Sequence, residues 1–139
     1  MPALDKHHNS VRNALIKDGW TITADPLTLQ IGEDRIHVDI GAERVIAADK
    51  GTRKIAVEIK TFAGASKITA LEEAIGQYVV YRMALRRTEP DRELYIAAPQ
   101  AIVANRFVNR ELWKAFLTDE NGKIFGYDQD KETIEQWLP

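Results

Sequence analysis

The order of elements predicts a mixed α/β sandwich, a sheet flanked by helices. Three observations carry that expectation. Residues 4–17 hold Val11, Ala14 and Leu15 at helical spacing. Residues 20–62 break into short alternating runs separated by turn residues, the pattern of antiparallel strands. Residues 94–98 form a continuous apolar run between two helical stretches, as a central strand covered on both faces would. The order is helix, three or so antiparallel strands, helix, strand, helix, and a small C-terminal addition. With 139 residues, 45% of them apolar, and no repeat or linker, the chain reads as one domain over 1–139 with a real core.

Composition narrows the function. The chain has no cysteine, which excludes a disulfide framework and cysteine-ligated zinc and suits the cytoplasm. It has no apolar run of about 18 residues, so no membrane span is expected. The opening MPALDKHHNS lacks an apolar signal core. A net charge of −2 argues weakly against a protein that holds DNA tightly by itself, although Lys50, Arg53, Lys54, Lys60 and Lys67 gather locally.

In chain order, the first helix over 4–17 ends at Gly19, a C-terminal cap. A strand starts over 20–22 and Asp25-Pro26 breaks it. Residues 27–31 and 35–40 alternate around Gly32-Glu33-Asp34 and read as a hairpin. A second hairpin covers 44–62. After Gly64-Ala65-Ser66 a helix runs to about Arg87, capped by Thr69 with Glu72 in capping-box spacing, or by Ser66. Leu71, Ile75 and Val79 form its apolar ridge. Residues 102–116 read as a helix, Asn121-Gly122 as a hairpin turn, 124–127 as a short strand, and 130–138 as a final helix with Ile134 and Trp137 inward.

The second hairpin holds the chemistry. Its second strand ends in Glu58-Ile59-Lys60, which puts Glu58 and Lys60 on one face. If Lys50-Gly51 form a two-residue loop, Asp49 faces Thr52 and Glu43 lies opposite Glu58. Facing carboxylates repel unless something positive lies between them. Glu43 and Glu58 are therefore expected to hold Mg²⁺ or Mn²⁺, which takes oxygen ligands and keeps several waters. Lys60 would orient or deprotonate a metal-bound water, or stabilise developing charge. Asp39 is the rival first acid, on an extended strand about 13 Å from Glu43 unless Gly41 bends the chain. Asp49 is a third candidate, with a turn position that already accounts for it. Gln77 and Tyr81, four apart, share a helix flank with Ala70 and Ala74, where small residues would let the helix sit close to the sheet. His8 lies on the side of Val11 and Leu15 and could point at the hairpin. A solvated Glu-x-Lys face, a half-buried glutamine and a structural histidine are the plain alternatives.

This arrangement resembles the PD-(D/E)XK nuclease superfamily, with Glu43 or Asp39 as first acid, Glu58 and Lys60 as the Glu-x-Lys, and Gln77 with Tyr81 as the helix motif. His8 stands where some members carry an extra acid. The superfamily usually opens its signature with Pro-Asp, whereas Asp39 follows Val38. Across nearly its whole length the chain resembles the XisH family, the fdxN element excision controlling factors of filamentous cyanobacteria. The stretches that carry this are His8 with Ala14-Leu15-Ile16-Lys17-Asp18-Gly19-Trp20, Asp39-Ile40-Gly41-Ala42-Glu43-Arg44 with Ile46-Ala47-Ala48, Ile55-Ala56-Val57-Glu58-Ile59-Lys60-Thr61-Phe62, Ala74-Ile75-Gly76-Gln77-Tyr78 with Tyr81-Arg82, and Glu93-Leu94-Tyr95. The resemblance implies a restriction-endonuclease-like core and a role in excising a DNA element during developmental (heterocyst) rearrangement. It implies DNA, an XisI-like companion factor and a site-specific recombinase as partners. The resemblance fits a metal-dependent endodeoxyribonuclease or a non-catalytic regulator. A general resolvase-like nuclease would in addition work as a homodimer.

Overall fold

A computed structural model describes residues 3–47 and 51–139. Val11, Ala14 and Leu15, spaced as a helix requires, are fully buried and pin the first helix, α1 (Ala3–Lys17), to one face of the main sheet. That sheet has six strands: β1 (Thr21–Ala24), β4 (Ile40–Ala47), β5 (Gly51–Ile59), β6 (Arg92–Pro99), β7 (Ile124–Asp128) and β8 (Thr133–Leu138), in this spatial order. The β5–β6 and β6–β7 pairs are parallel and the others antiparallel. The expected hairpin, β2 (Leu27–Ile31) with β3 (Asp34–Val38), forms a separate two-stranded sheet.

Alternation along the central strands feeds two cores. Ile55, Val57, Tyr95, Ala97 and Phe125 face α1 with Ile40 and Ala42. Ala56, Leu94, Ile96, Ala98 and Ile124 face the second helix, α2 (Lys67–Thr88), and the β2–β3 hairpin. The mixed α/β sandwich with helices on both faces of the sheet is thus as expected, and β6 is the central strand that its apolar run predicts. Among the described residues no helix is long and apolar enough to cross a membrane.

Several expected elements differ. The helix over 102–116 is broken: α3 (Gln100–Ile102) widens into a π-helical turn (Val103–Phe107), and α4 (Glu111–Thr118) starts afresh. The break brings the Phe107 and Trp113 rings to 5.0 Å, edge to face, against Phe62. The final helix over 130–138 is instead strand β8, antiparallel to β7. Asp128 Oδ1 accepts from the N–H groups of Asp130 and Lys131, both at 2.9 Å, so these residues make a tight turn back onto the sheet edge. On α2 the N-cap is Ser66, whose Oγ accepts from the Thr69 N–H at 3.3 Å, in place of Thr69. Its buried ridge runs through Leu71, Ala74, Tyr78 and Leu85, while Val79 is 37% exposed. Ala74 permits close approach, and Tyr78 Oη donates to the Leu94 carbonyl at 2.9 Å, fixing this rotation of the helix.

Candidate functional site

Strand register decides which acids meet. Asp49 and Lys50, assigned to the hairpin turn, lie outside the described residues. The observed β4–β5 ladder pairs Ile40 with Val57, Glu43 with Lys54 and Val45 with Thr52. Glu43 keeps the expected face but lies opposite Lys54, not Glu58. The expected Glu43–Glu58 pair is therefore replaced. The register that sets the buried Ile40 and Ala42 beside Val57 and Ile55 prevails over the shortest loop, and the ladder carries an irregularity between Val45 and Ala47.

Glu43 serves a different partner. Its Oε1 lies 3.7 Å from Nη2 of Arg92, whose side chain is only 5% exposed. Arg92 donates to Glu89 Oε1 at 3.0 Å and to the Ile55 carbonyl at 2.9 Å, with a longer contact to Ala42 O at 3.4 Å. A buried guanidinium needs this full set of acceptors, so Glu43 and Glu89 act as its counter-ions.

The first acid beside Glu58 is Asp39, at the junction of β3 and β4. The two residues hold each other: the Asp39 N–H donates to Glu58 Oε1 at 3.2 Å, and the Ile59 N–H donates to Asp39 Oδ2 at 2.8 Å. Lys60 Nζ lies 3.7 Å from Glu58 Oε2, and the Lys60 N–H donates to the Ala97 carbonyl at 2.9 Å, anchoring it at the end of β6. Burial, with the Asp39 charge behind it, raises the Glu58 carboxyl to about 7, while Lys60 pulls the other way. Here the rival first acid is the one the fold brings to the Glu-x-Lys.

From α2, Tyr81 faces this pair. Burial raises its phenol pKa, and the Glu58 and Asp39 charges raise it further. Gln77 stands one turn earlier, and its Oε1 is buried with no hydrogen-bond partner among the described residues. A cleft of about 470 Å³ opens beside Lys60, lined also by Phe62, Ser66, Ala70 and Glu73. The chain turns into it at Phe62, held at φ 56° by packing against Phe107 and Trp113. Lys67, part of the local basic cluster, donates to the carbonyls of Phe62 and Gly64 and so braces this loop.

His8 does not join the acids. Its Nε2 lies 2.8 Å from Asp25 Oδ1, and Arg12 Nη1 lies 2.6 Å from Asp25 Oδ2, an ion cluster at the β1–β2 bend. Among the described residues His8 has no hydrogen bond to Asp39 or Glu58, and the carboxylate it reaches is that of Asp25. Arg92 and Glu73 were not foreseen. Glu73 carries a signal, four residues before Gln77 and eight before Tyr81; for the burial of Arg92 the sequence holds none.

The donor set suits a hard divalent cation. Asp39 and Glu58 each commit one oxygen to a backbone N–H, which leaves Oδ1 of Asp39 and Oε2 of Glu58 for a metal with water completing its shell. Burial is the largest cause of the raised Glu58 pKa and the Asp39 charge the next, and Lys60 offsets them only in part. Among the described residues no cluster of three or more Asp, Glu, His or Cys side chains could hold a metal, so the protein's share would be these two carboxylates.

The family described as "XisH protein" matches residues 1–135. An fdxN element excision controlling factor protein from Anabaena variabilis has a similar structure, with 40% identity and a TM-score of 0.85 over 97% of this chain and 99% of that one. An XisH family protein from Nostoc punctiforme is similar at 40% identity and a TM-score of 0.85, over 97% of this chain and 100% of that one. Among curated proteins none matches.

Proposed function

The chain belongs to the XisH family, and on that footing we propose that it is a controlling factor for site-specific excision of a DNA element, working on DNA through a divalent-metal site on an endonuclease-like fold. The observation that carries the reading is the pairing of Asp39 with Glu58 beside Lys60. Mg²⁺ or Mn²⁺, when bound there, polarises a phosphate and lowers the pKa of its water. Asp39 and Glu58 supply the ligand oxygens. Lys60, close to Glu58 and at the mouth of the cleft, orients a water or balances charge on phosphoryl oxygens. Gln77 contributes an unengaged amide oxygen, and Tyr81 closes the α2 side of the acids. On this reading the partners are DNA, an XisI-like companion factor and the site-specific recombinase, in the cytoplasm.

One observation favours a second reading, a non-catalytic regulator of the recombinase. The reciprocal side-chain-to-backbone bonds of Asp39 and Glu58 already give both acids a structural task at the β3–β4 junction.

Calorimetric titration of Mn²⁺ separates the two. A live site gives saturable binding to the wild type that disappears in Glu58→Ala and Asp39→Ala and persists in Glu43→Ala. Nicking of DNA that stops in Lys60→Ala then assigns cleavage. Absence of metal binding in the presence and absence of DNA selects the regulator.

A further inference from the structure

Helix α2 turns one face to the core, through Leu71, Ala74, Tyr78 and Leu85, and the opposite face to solvent. At about 100° per residue that outer face carries Glu72, Gly76, Val79, Val80, Met83 and Arg87. Val79, Val80 and Met83 are 37%, 49% and 54% exposed. Among the described residues nothing outside the helix's own backbone lies within 4 Å of the place a Cβ on Gly76 would take. Glycine within an exposed helix is unfavourable relative to alanine, and no contact among the described residues explains it here.

The face is complementary to itself. About the midpoint between Val79 and Val80, Glu72 and Glu73 mirror Arg87 and Arg86, and Gly76 mirrors Met83. Two such helices, antiparallel about a two-fold axis at that midpoint, bring the acids of each level with the arginines of the other. Among the described residues, no ion pair within the chain engages any of these four charges. We propose that the outer face of α2 docks a second copy of this chain, antiparallel, in a two-fold dimer. Met83 fills the space that Gly76 leaves, so the helices approach closely. Val79 and Val80 meet their own counterparts across the axis, and Glu72–Glu73 with Arg86–Arg87 close both ends. Gln77 and Tyr81 lie on one flank of α2, and this axis carries that flank to the same side of the pair in both copies. The dimer stands whether or not the acid site binds metal. One helix pair, 22 residues long in each copy, covers less than the roughly 1,600 Å² of a standard interface, so association is weak and salt-sensitive.

Sedimentation equilibrium of the full chain, at low salt and from micromolar to near-millimolar loading, tests this. A monomer–dimer equilibrium is expected. Val80→Asp abolishes it, and the charge reversals E72R/E73R and R86E/R87E each weaken it about tenfold. Mixing the two reversal variants restores a heterodimer, because each then offers the charges the other lacks. Circular dichroism verifies that these exposed substitutions leave the fold intact. A monomer at every loading overturns the proposal. So does a dimer indifferent to Val80→Asp, or a mixture no tighter than its components; a different protein captured by this face in place of a second copy would overturn it too.

Discussion

At the scale of single residues, Glu58 couples the site to pH. Burial and the Asp39 charge hold its carboxyl near 7, above the ordinary 4.5. The unfolded chain releases this proton above about 4.5, whereas the folded chain keeps it until about 7. The folded state therefore binds more protons across that window, and stability falls as pH rises through it. Glu58→Gln should remove the fall and, in metal-free buffer at pH 8, stabilise the protein by on the order of 1–3 kcal/mol. Urea denaturation of both proteins at pH 5 and pH 8 checks this; equal slopes with pH would refute the assignment. Mn²⁺ binding near pH 6 should release protons, visible as a dependence of calorimetric heat on buffer ionisation enthalpy. Gly126 shows a different constraint. A Cβ there would stand 1.9 Å from Gln100 Oε1 and 3.2 Å from the Gln100 backbone. The β7 strand needs glycine at this point because another chain segment occupies the space.

At the scale of elements, α2 both seals a core and borders the candidate site. Its start is held by Ser66, and losing that cap through Ser66→Ala should cost about 1 kcal/mol of stability, read as a lower urea midpoint with unchanged slope. Because the same turn borders the cleft beside Lys60, Mn²⁺ affinity in this variant reports whether helix start and site are coupled. The hairpin of β4 and β5 teaches a general point about register. Sliding it by two residues on each strand keeps every side chain on its face, so alternation alone correctly puts Glu43 and Glu58 on one side. Only the packing of Ile40 and Ala42 against the β5 neighbours selects Asp39 as the acid beside Glu58.

At the scale of the molecule, the two ends of the chain close one core. Tyr127 Oη lies 2.7 Å from His7 Nδ1, and Ser10 Oγ donates to the Gln129 carbonyl at 2.9 Å. The Trp137 ring on β8 lies 6.0 Å from that of Trp20, 5.0 Å from Tyr95 and 4.8 Å from Phe125. Trp137→Ala should destabilise the protein by about 2–3 kcal/mol, below the cost of a fully buried aromatic because the side chain is only partly buried. Tryptophan fluorescence and circular dichroism should report one shared, earlier transition, since β8 and α1 share this core. Two separate transitions would mean that the ends fold independently.

The sequence by itself determined the mixed α/β class, α1, the β2–β3 hairpin, the central β6, the Glu-x-Lys strand and the Gln77–Tyr81 flank. Each rests on local period or turn chemistry, which neighbouring residues settle among themselves. Tertiary structure alone decided the pairing of Asp39 with Glu58, the counter-ion role of Glu43, the Asp25 partnership of His8, the break after Phe107 and the strand at 133–138. These depend on which distant surfaces compete for a segment. Ile134 and Trp137, three apart, share a face on a helix, yet the open edge of β7 takes the segment as a strand, with an irregularity in the ladder between Gly126 and Tyr127. Glu43 suits a metal, and the burial of Arg92, forty-nine residues further along the chain, claims it first.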